Sequence, residues 1–381
     1  MTYTLGISCY YHDSAAALLK NGHVVAAVEE ERFSRTKFDD DFPRLAIDWC
    51  LSEAGITPKE ITSIAFYDKP ILKFERLLDN YLGVAPRGLF SFLDVIPKWL
   101  HKRIWIKNEI KKHLKEFNGE IIFPEHHVSH AAHAFYTSPF DESAILSIDG
   151  VGEWSTTSFG TANNQQIHLT HDIRWPHSVG LFYSAFTYFL GFKVNEGEYK
   201  LMGLSSYGNP KYTDLILENL VDVKPDGSIS LNMKYFSFTY DNVMTNEKFS
   251  ELFGISPRKK NEKIEQIHFD IGASAQRVLE HILLRMVDHV YEKTDSKNLC
   301  LGGGVALNGV ANYRILKEGP FENVHIPPSP GDAGSAVGCA QFLYHNHMKN
   351  NKIMFENNAQ RIHENVYVGP HYSNEDIKNF L

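Results

Sequence analysis

Two stretches of the chain carry the same alternation of apolar and polar positions. The first, residues 2–28, reads as a strand (TYTLGISC), a tight excursion through Tyr11, His12 and Asp13, a second strand (SAAALL) and a third (HVVAAVE). Asn21-Gly22 separates the last two, and Asn-Gly between apolar runs predicts a type I′ hairpin, because that turn needs positive φ at two successive residues. The second stretch, residues 143–173, reads SAILSID, a turn at Gly150–Gly152, WSTTSFGTA, a turn at Asn163-Asn164, and QIHLTHDI. A β-turn-β-turn-β unit that recurs about 140 residues later points to two related lobes.

Helical periodicity follows each unit. Pro43 ahead of an apolar stripe that stops at Gly55 predicts a helix with proline in its first turn. The segment from Ser178 (SVGLFYSAFTYFLGF) is apolar almost all round and predicts a buried helix, and a long amphipathic helix is expected from Ile271 to Thr294. A short strand (NLCLGGG) then opens onto ALNGVANYRIL, and VHIPPSPGDAGSAVGCAQFLYHNHM repeats strand, turn and helix. This order implies an α/β protein with parallel strands added to each hairpin unit. The predicted architecture is two-lobed and duplicated, of the actin, sugar-kinase and heat-shock-ATPase kind, with nucleotide between the lobes. Residues 1–142 form the first lobe, with a β-hairpin core and an amphipathic insertion at 88–106. Residues 143–348 form the second, with the metal and nucleotide motifs. Residues 349–381 read as a polar linker with one short strand (VYVG) and then a helix start at Ser373, the front of an absent C-terminal domain.

Composition narrows the function classes. Hydrophobic residues make up 43% of the 381, enough for a sizeable core, and 38 Lys plus Arg against 46 Asp plus Glu leave a net charge of −8. A mildly acidic chain lacks the basic field that nucleic-acid binding draws on. The N-terminus (MTYTLGISCYYHDS) has neither a basic leader nor an apolar signal core, and no apolar run reaches the ~20 residues of a membrane span. Cys9, Cys50, Cys300 and Cys339 are scattered without a CxxC pair, which reads as reduced, buried thiols in a cytoplasmic protein.

Candidate chemistry concentrates at a few turns. His126 and His130 form an HxxxH pair, and on a helix residues i and i+4 share a face, close enough to bind one metal ion. Two spaced histidines alone also suit a surface or a cap, but Asp149 ends the strand LSID and Asp332 sits at the mouth of another strand. Two imidazoles with one or two carboxylates suit iron(II), manganese or zinc with positions open to substrate. His127 points off the shared face. Gly302, Gly303 and Gly304 follow an apolar strand, so they either let backbone amides approach a phosphate or make a tight turn; Asn308 adds a donor and acceptor for a ribose or base. His12 at the first turn is a general-base candidate or a turn cap. The run EEERFSRTKFDDDFP is either a solvated face or, through Arg32, Arg35 and Lys37, a polyphosphate or polyol contact.

Seven strings in order, HDSAAAL, EEERFSRTKFDDDFP, HHVSHAAHAFY, SIDGVGEWST, NEGEYKLMGLSSYG, CLGGGVALN and PGDAGSAVG, resemble the O-carbamoyltransferases of the nodulation and antibiotic or toxin tailoring type. Those enzymes are similar in this region to the tRNA threonylcarbamoyl-transfer proteins. The resemblance implies use of carbamoyl phosphate and ATP, passage through carbamoyl adenylate, and transfer to a hydroxyl of a small-molecule acceptor. It implies that His126, His130, Asp149 and Asp332 are iron ligands and that His12 handles the acceptor hydroxyl. It further implies that Lys37 lines the acceptor or adenylate pocket and that Gly302, Gly303, Gly304 and Asn308 contact nucleotide. Family members carry a C-terminal domain that makes the adenylate, in cis or as a partner in trans, and this sequence stops where that domain is expected. Two other classes fit the same fold: a sugar kinase or ATPase, which has no use for HxxxH, and a non-catalytic nucleotide-binding subunit.

Overall fold

Strands buried on both faces build the centre of the first sheet, and burial alternates only in its third strand. In the computed structural model, which describes residues 1–164 and 166–381 (362 and 363 by backbone alone), β1 (Tyr3–Ser8), β2 (Ala15–Lys20) and β3 (His23–Glu29) form an antiparallel meander. Asn21 and Gly22 both take positive φ, 50° and 87°, as the hairpin requires. On the other side of β1, β4 (Ser63–Phe66) and β5 (Glu120–Ile122) add in parallel. The second sheet repeats the plan. β6 (Glu142–Ile148), β7 (Ser155–Asn163) and β8 (Ile167–Arg174) form the meander. A small ribbon of β9 (Val221–Val223) and β10 (Ile229–Leu231) intervenes, and β11 (Asn298–Gly302) and β12 (Asn323–His325) then add in parallel beside β6. The strand orders β3-β2-β1-β4-β5 and β12-β11-β6-β7-β8 are the same topology used twice. The duplicated two-lobed α/β fold expected from the hairpin pattern is present.

Two helices lie between the sheets. His126–Tyr136 packs on β6 and β11, and Asp332–Phe342, which follows the second sheet in sequence, packs on β1 and β2 of the first. The two helices also pack on each other, so each sheet's helix is held by the other's. Small residues allow the close approach: a Cβ on Gly6 of β1 would lie 1.8 Å from the Ala336 carbonyl oxygen. Ala15, Ala17 and Ala336 fill that seam. The second lobe is the larger core, with Phe182, Phe186, Phe189, Phe236 and Phe249 buried together around the Val179–Phe189 helix. Ser178 caps that helix by accepting from the Leu181 N–H at 3.0 Å.

Several local expectations shift. Pro43 is the residue before the Arg44–Glu53 helix rather than its first turn; Glu30 supplies the cap, its carboxylate accepting from the N–H groups of Leu45 and Ala46. The long helix begins at Gln266, five residues before Ile271, where Glu265 and His268 form a reciprocal cap. VYVG is not a strand: a helix, Asn358–Val366, takes its first residue, and among the described residues the one ladder-like bond is from Ala27 N–H to the Val368 carbonyl. Ser373 does cap a helix, Asn374–Phe380, with Asp376 completing the capping box. All four cysteines are free and buried. Among the described residues no helix is long and apolar enough to cross a membrane.

Burial of His345 is expected to make this fold acid-sensitive. His345 stacks on Tyr136 at 4.2 Å and donates from Nδ1 to the Asn351 carbonyl at 2.9 Å. Burial pulls its pKa down to about 4. Above pH ~6.5 the ring is neutral folded or unfolded; below it the unfolded chain takes a proton that the fold refuses, so stability falls as pH drops towards the folded value. The span from about 6.5 to about 4 costs about 3 kcal/mol for this one group. The thermal midpoint should therefore fall between pH 6.5 and 4, and His345→Asn, which keeps a donor, should fall measurably less; equal slopes would remove His345 from the account.

Candidate active site and metal centre

The His126–Tyr136 helix starts where it does because Glu153 holds its first N–H. Both Glu153 carboxylate oxygens accept from His126 N–H at 3.1 Å, and Oε1 also accepts from Lys69 N–H at 2.8 Å. A carboxylate at a helix N-terminus is favourable, and this one fixes the histidine face. His126 Nε2 lies 3.0 Å from Asp149 Oδ2 and 3.5 Å from Asp332 Oδ1. His130 Nε2 lies 3.4 Å from Asp332 Oδ1 and 3.1 Å from His126 Nε2. Ser335 Oγ sits 3.1 Å from His130 Nδ1, so the ring's Nε2 is left to face the cluster. Asp149 ends β6, and its Oδ1 accepts from Gly304 N–H at 2.9 Å.

These four side chains are buried, and their donor atoms all lie within 4.8 Å of one another. Neither Asp332 oxygen has a hydrogen-bond partner although the residue is 1% exposed. Burial raises its pKa, but His126, His12 and the His130 imidazole at 3.4 Å outweigh that and hold it at about 2. His12 lies at the β1–β2 turn with Nδ1 on Asp13 Oδ2 at 2.8 Å and Nε2 3.8 Å from Asp332 Oδ2. Burial lowers His12, while Asp332, Asp13 and Asp149 overcome it and lift the ring to about 9. His126 is raised in the same way, against burial, chiefly by Asp332. The two buried carboxylates thus favour the protonated form of both imidazoles. A divalent cation carries the same charge in less space, and two imidazoles with two carboxylates are a donor set for a first-row transition metal. The residues present fit such an ion.

Beside the cluster runs a cleft of about 990 Å³, counting its solvent-open mouth. Its walls include His12, Asp149, Tyr183, Glu198, Gly304 and Asn308, with Leu181, Met202 and Leu279 as an apolar face. Of the glycine triplet, only Gly304 reaches the cleft. Gly302 and Gly303 serve packing: a Cβ on Gly302 would meet the His130 carbonyl at 3.0 Å, and Gly303 takes φ 88° with Ile148 O 2.2 Å from where its Cβ would be. Asn308 accepts from Ala311 N–H and exchanges hydrogen bonds with Gln276.

Lys37 is not brought into this group. It is exposed and pairs with Glu31 at 2.8 Å, while the next residue, Phe38, lines the cleft. The acidic run around it works inward: Tyr10 N–H donates to the Asp40 carbonyl and Ser14 N–H to that of Asp39, bracing the turn that carries His12. Glu153, Ser335 and Tyr11, which orient the cluster or wall the cleft, were not singled out in the sequence. Glu153 and Tyr11 lie within four residues of Asp149 and His12, the signal that could have found them.

The Carbamoyltransferase N-terminus family matches residues 3–341 of this chain. An uncharacterized protein of Synechocystis sp. is 51% identical, the alignment covering 100% of this chain and 63% of that protein. Nodulation protein NolNO of Sinorhizobium fredii is 31% identical, covering 95% of this chain and 49% of that one. The chain therefore spans about half to two-thirds of the length of these relatives. Among solved structures, component A of (R)-2-hydroxyglutaryl-CoA dehydratase from Acidaminococcus fermentans aligns at TM-score 0.45 and 15% identity, covering 90% of this chain and 98% of that one. The family match begins at β1, takes in His12 and all four residues of the metal-type cluster, and ends in the helix that carries Asp332: this chain belongs to the carbamoyltransferase N-terminus family.

Proposed function

We propose that this chain is the transfer half of an O-carbamoyltransferase. It takes the carbamoyl group of carbamoyl adenylate, made from carbamoyl phosphate and ATP by a C-terminal domain in cis or in trans, and places it on a hydroxyl of a small-molecule acceptor. The observation that carries this reading is the buried His126, His130, Asp149 and Asp332 cluster opening onto a nucleotide-sized cleft beside His12, in a chain of this family.

The four side chains would hold iron(II) or another divalent transition metal, which would supply Lewis-acid polarisation of the carbamoyl carbonyl. The apolar wall of Leu181, Met202 and Leu279 receives the adenine, and Glu198 and Asn308 face the ribose. His12 is held by Asp13 through Nδ1, which leaves Nε2 to take the proton of the attacking hydroxyl. A cation at Asp149 and Asp332 would weaken their pull on the protonated form of this ring and leave that of Asp13. Lys37 is one residue from the cleft wall and can leave an exposed pair with Glu31 at little cost to meet the phosphate or acceptor. Gly302 and Gly303 serve the nucleotide indirectly, by fixing the strand that presents Gly304 and Asn308. AMP departs along the cleft. A sugar kinase or ATPase would need no buried imidazole pair.

The test separates the two half-reactions. Anaerobically purified chain should release AMP from supplied carbamoyl adenylate, to water or to a hydroxyl acceptor, and should make no carbamoyl adenylate from ATP and carbamoyl phosphate until the C-terminal domain of a longer relative is added. Formation of the adenylate by this chain alone at an ordinary enzymatic rate would sink the division of labour, and failure to turn over supplied adenylate would sink the transfer assignment.

A further inference from the structure

A second cavity, about 660 Å³ with its mouth, lies on the other side of Tyr11 from the nucleotide cleft. Tyr11 lines both. Its ring is 4.7 Å from that of His12, and Tyr67, another wall residue, stands edge-on to His126 at 5.2 Å. The cavity therefore abuts both the metal-type cluster and the candidate base, from the side away from the nucleotide.

The cationic groups of this cavity come largely from one helix, Pro70–Val84, which points Lys73 and Arg76 inward at i and i+3. Lys73 is spoken for: its Nζ is 2.6 Å from Asp68 Oδ2 and lies over the rings of Tyr67 and Tyr11 at 5.1 and 5.6 Å. Arg76 is different. It is 7% exposed, stacks on Trp175 at 5.0 Å, and its Nε has no hydrogen-bond partner. Among the described residues no carboxylate lies within ion-pair distance of its guanidinium. Glu153, whose field reaches it, is committed to the N–H groups of Lys69 and His126. Burial lowers its pKa to about 10, so it stays charged at neutral pH. Arg103, half-buried at the same cavity, lies over the Trp99 ring at 5.3 Å and meets Asp40 at 4.0 Å.

A buried guanidinium without an anion is costly, and buried charges are otherwise paired. Its planar fork is suited to a carboxylate or a phosphate. The wall also carries aromatic side chains, Tyr67 and Trp99 among them, on which an apolar ring face can rest, beside aliphatic Leu77, Val95 and Val151. We propose that this cavity is the acceptor subsite and that the acceptor is a hydroxyl compound bearing a carboxylate or a phosphate, with its anion on Arg76 and its hydroxyl directed past Tyr11 to His12. The inference rests on the transfer reading for the word acceptor, while anion binding at Arg76 stands on the cavity alone.

Binding can be measured without turnover. D-glucuronate, glucose 6-phosphate and glucose are titrated into the full chain by calorimetry, with the fluorescence of Trp99 and Trp175 as a second signal and ADP present to occupy the nucleotide cleft. At least one anion should bind ten-fold or more tighter than glucose, and which one does tells a carboxylate from a phosphate acceptor. Arg76→Met should lose at least ten-fold of that affinity, and Arg76→Lys less. Without ligand Arg76→Met should unfold at the same or a higher temperature than wild type, since it removes an unpaired buried charge. If neither anion outbinds glucose, or if Arg76→Met binds them as well as wild type, the subsite is wrong. Metal and ADP binding, measured on the same protein, bear on the transfer reading and not on this result.

Discussion

His130→Ala is expected to abolish metal binding while leaving the fold in place. Anaerobically purified wild type, exposed to iron(II), manganese or zinc, should carry about one ion per chain, and the variant close to none. The reason is geometric. His130 Nε2 and Asp332 Oδ1 stand 3.4 Å apart, and His130 is oriented by Ser335, so its removal leaves three donors and an unoriented carboxylate. Loss of an outer partner of a ligand costs about 10–100-fold in metal affinity, and loss of the ligand itself should exceed that. The fold should survive because the helix carrying His130 is held by Glu153 at its start and by packing on β6 and β11 along its length. Elemental analysis and circular dichroism of both proteins check this. A variant that binds metal as tightly as wild type would make the cluster a structural ion network.

The second large effect belongs to His12. His12→Ala should lower transfer from supplied carbamoyl adenylate by about 10²–10⁴, the range for loss of a general base, with metal content and ADP affinity near those of wild type. The ring touches Asp332 only at 3.8 Å and offers no donor needed to complete the four-residue set. Its turn is braced by backbone bonds from Tyr10 and Ser14 to the acidic run, and those do not depend on the imidazole. Side-by-side measurement of single-turnover rate, ADP affinity and bound metal decides the matter. If ADP affinity collapses together with the rate, His12 is a binding or folding residue.

Much of the site was legible because its residues sit at element ends that local pattern marks. Asp149 follows an apolar strand, Asp332 opens a helix after Pro330-Gly331, and HxxxH has helical spacing, all of them local signals. Lys37 shows the limit of that reasoning. Its run is dense in both signs, and nothing local distinguishes a carboxylate that caps a helix, as Glu30 does, or residues whose backbone carbonyls brace a turn, as Asp39 and Asp40 do, from cations free to meet a ligand. Arg76 shows it from the other side: in sequence it is one basic residue on an amphipathic helix, and only the aromatic walls around it make its charge unpaired.

The sequence by itself determined the two hairpin units, the strands β11 and β12 and the duplication, since apolar runs and Asn-Gly turn chemistry are properties of neighbouring residues. The strands β4, β5, β9 and β10 carry too short a local pattern to be marked. Tertiary structure decided which surfaces meet. The Asp332–Phe342 helix follows the second sheet in the chain yet packs on the first, where Gly6 and the alanines of β2 let it approach. That crossing brings Asp332 to His126, His130 and His12. An apolar face encodes that it will be buried; its partner depends on shape complementarity between segments more than 300 residues apart, which no local pattern carries.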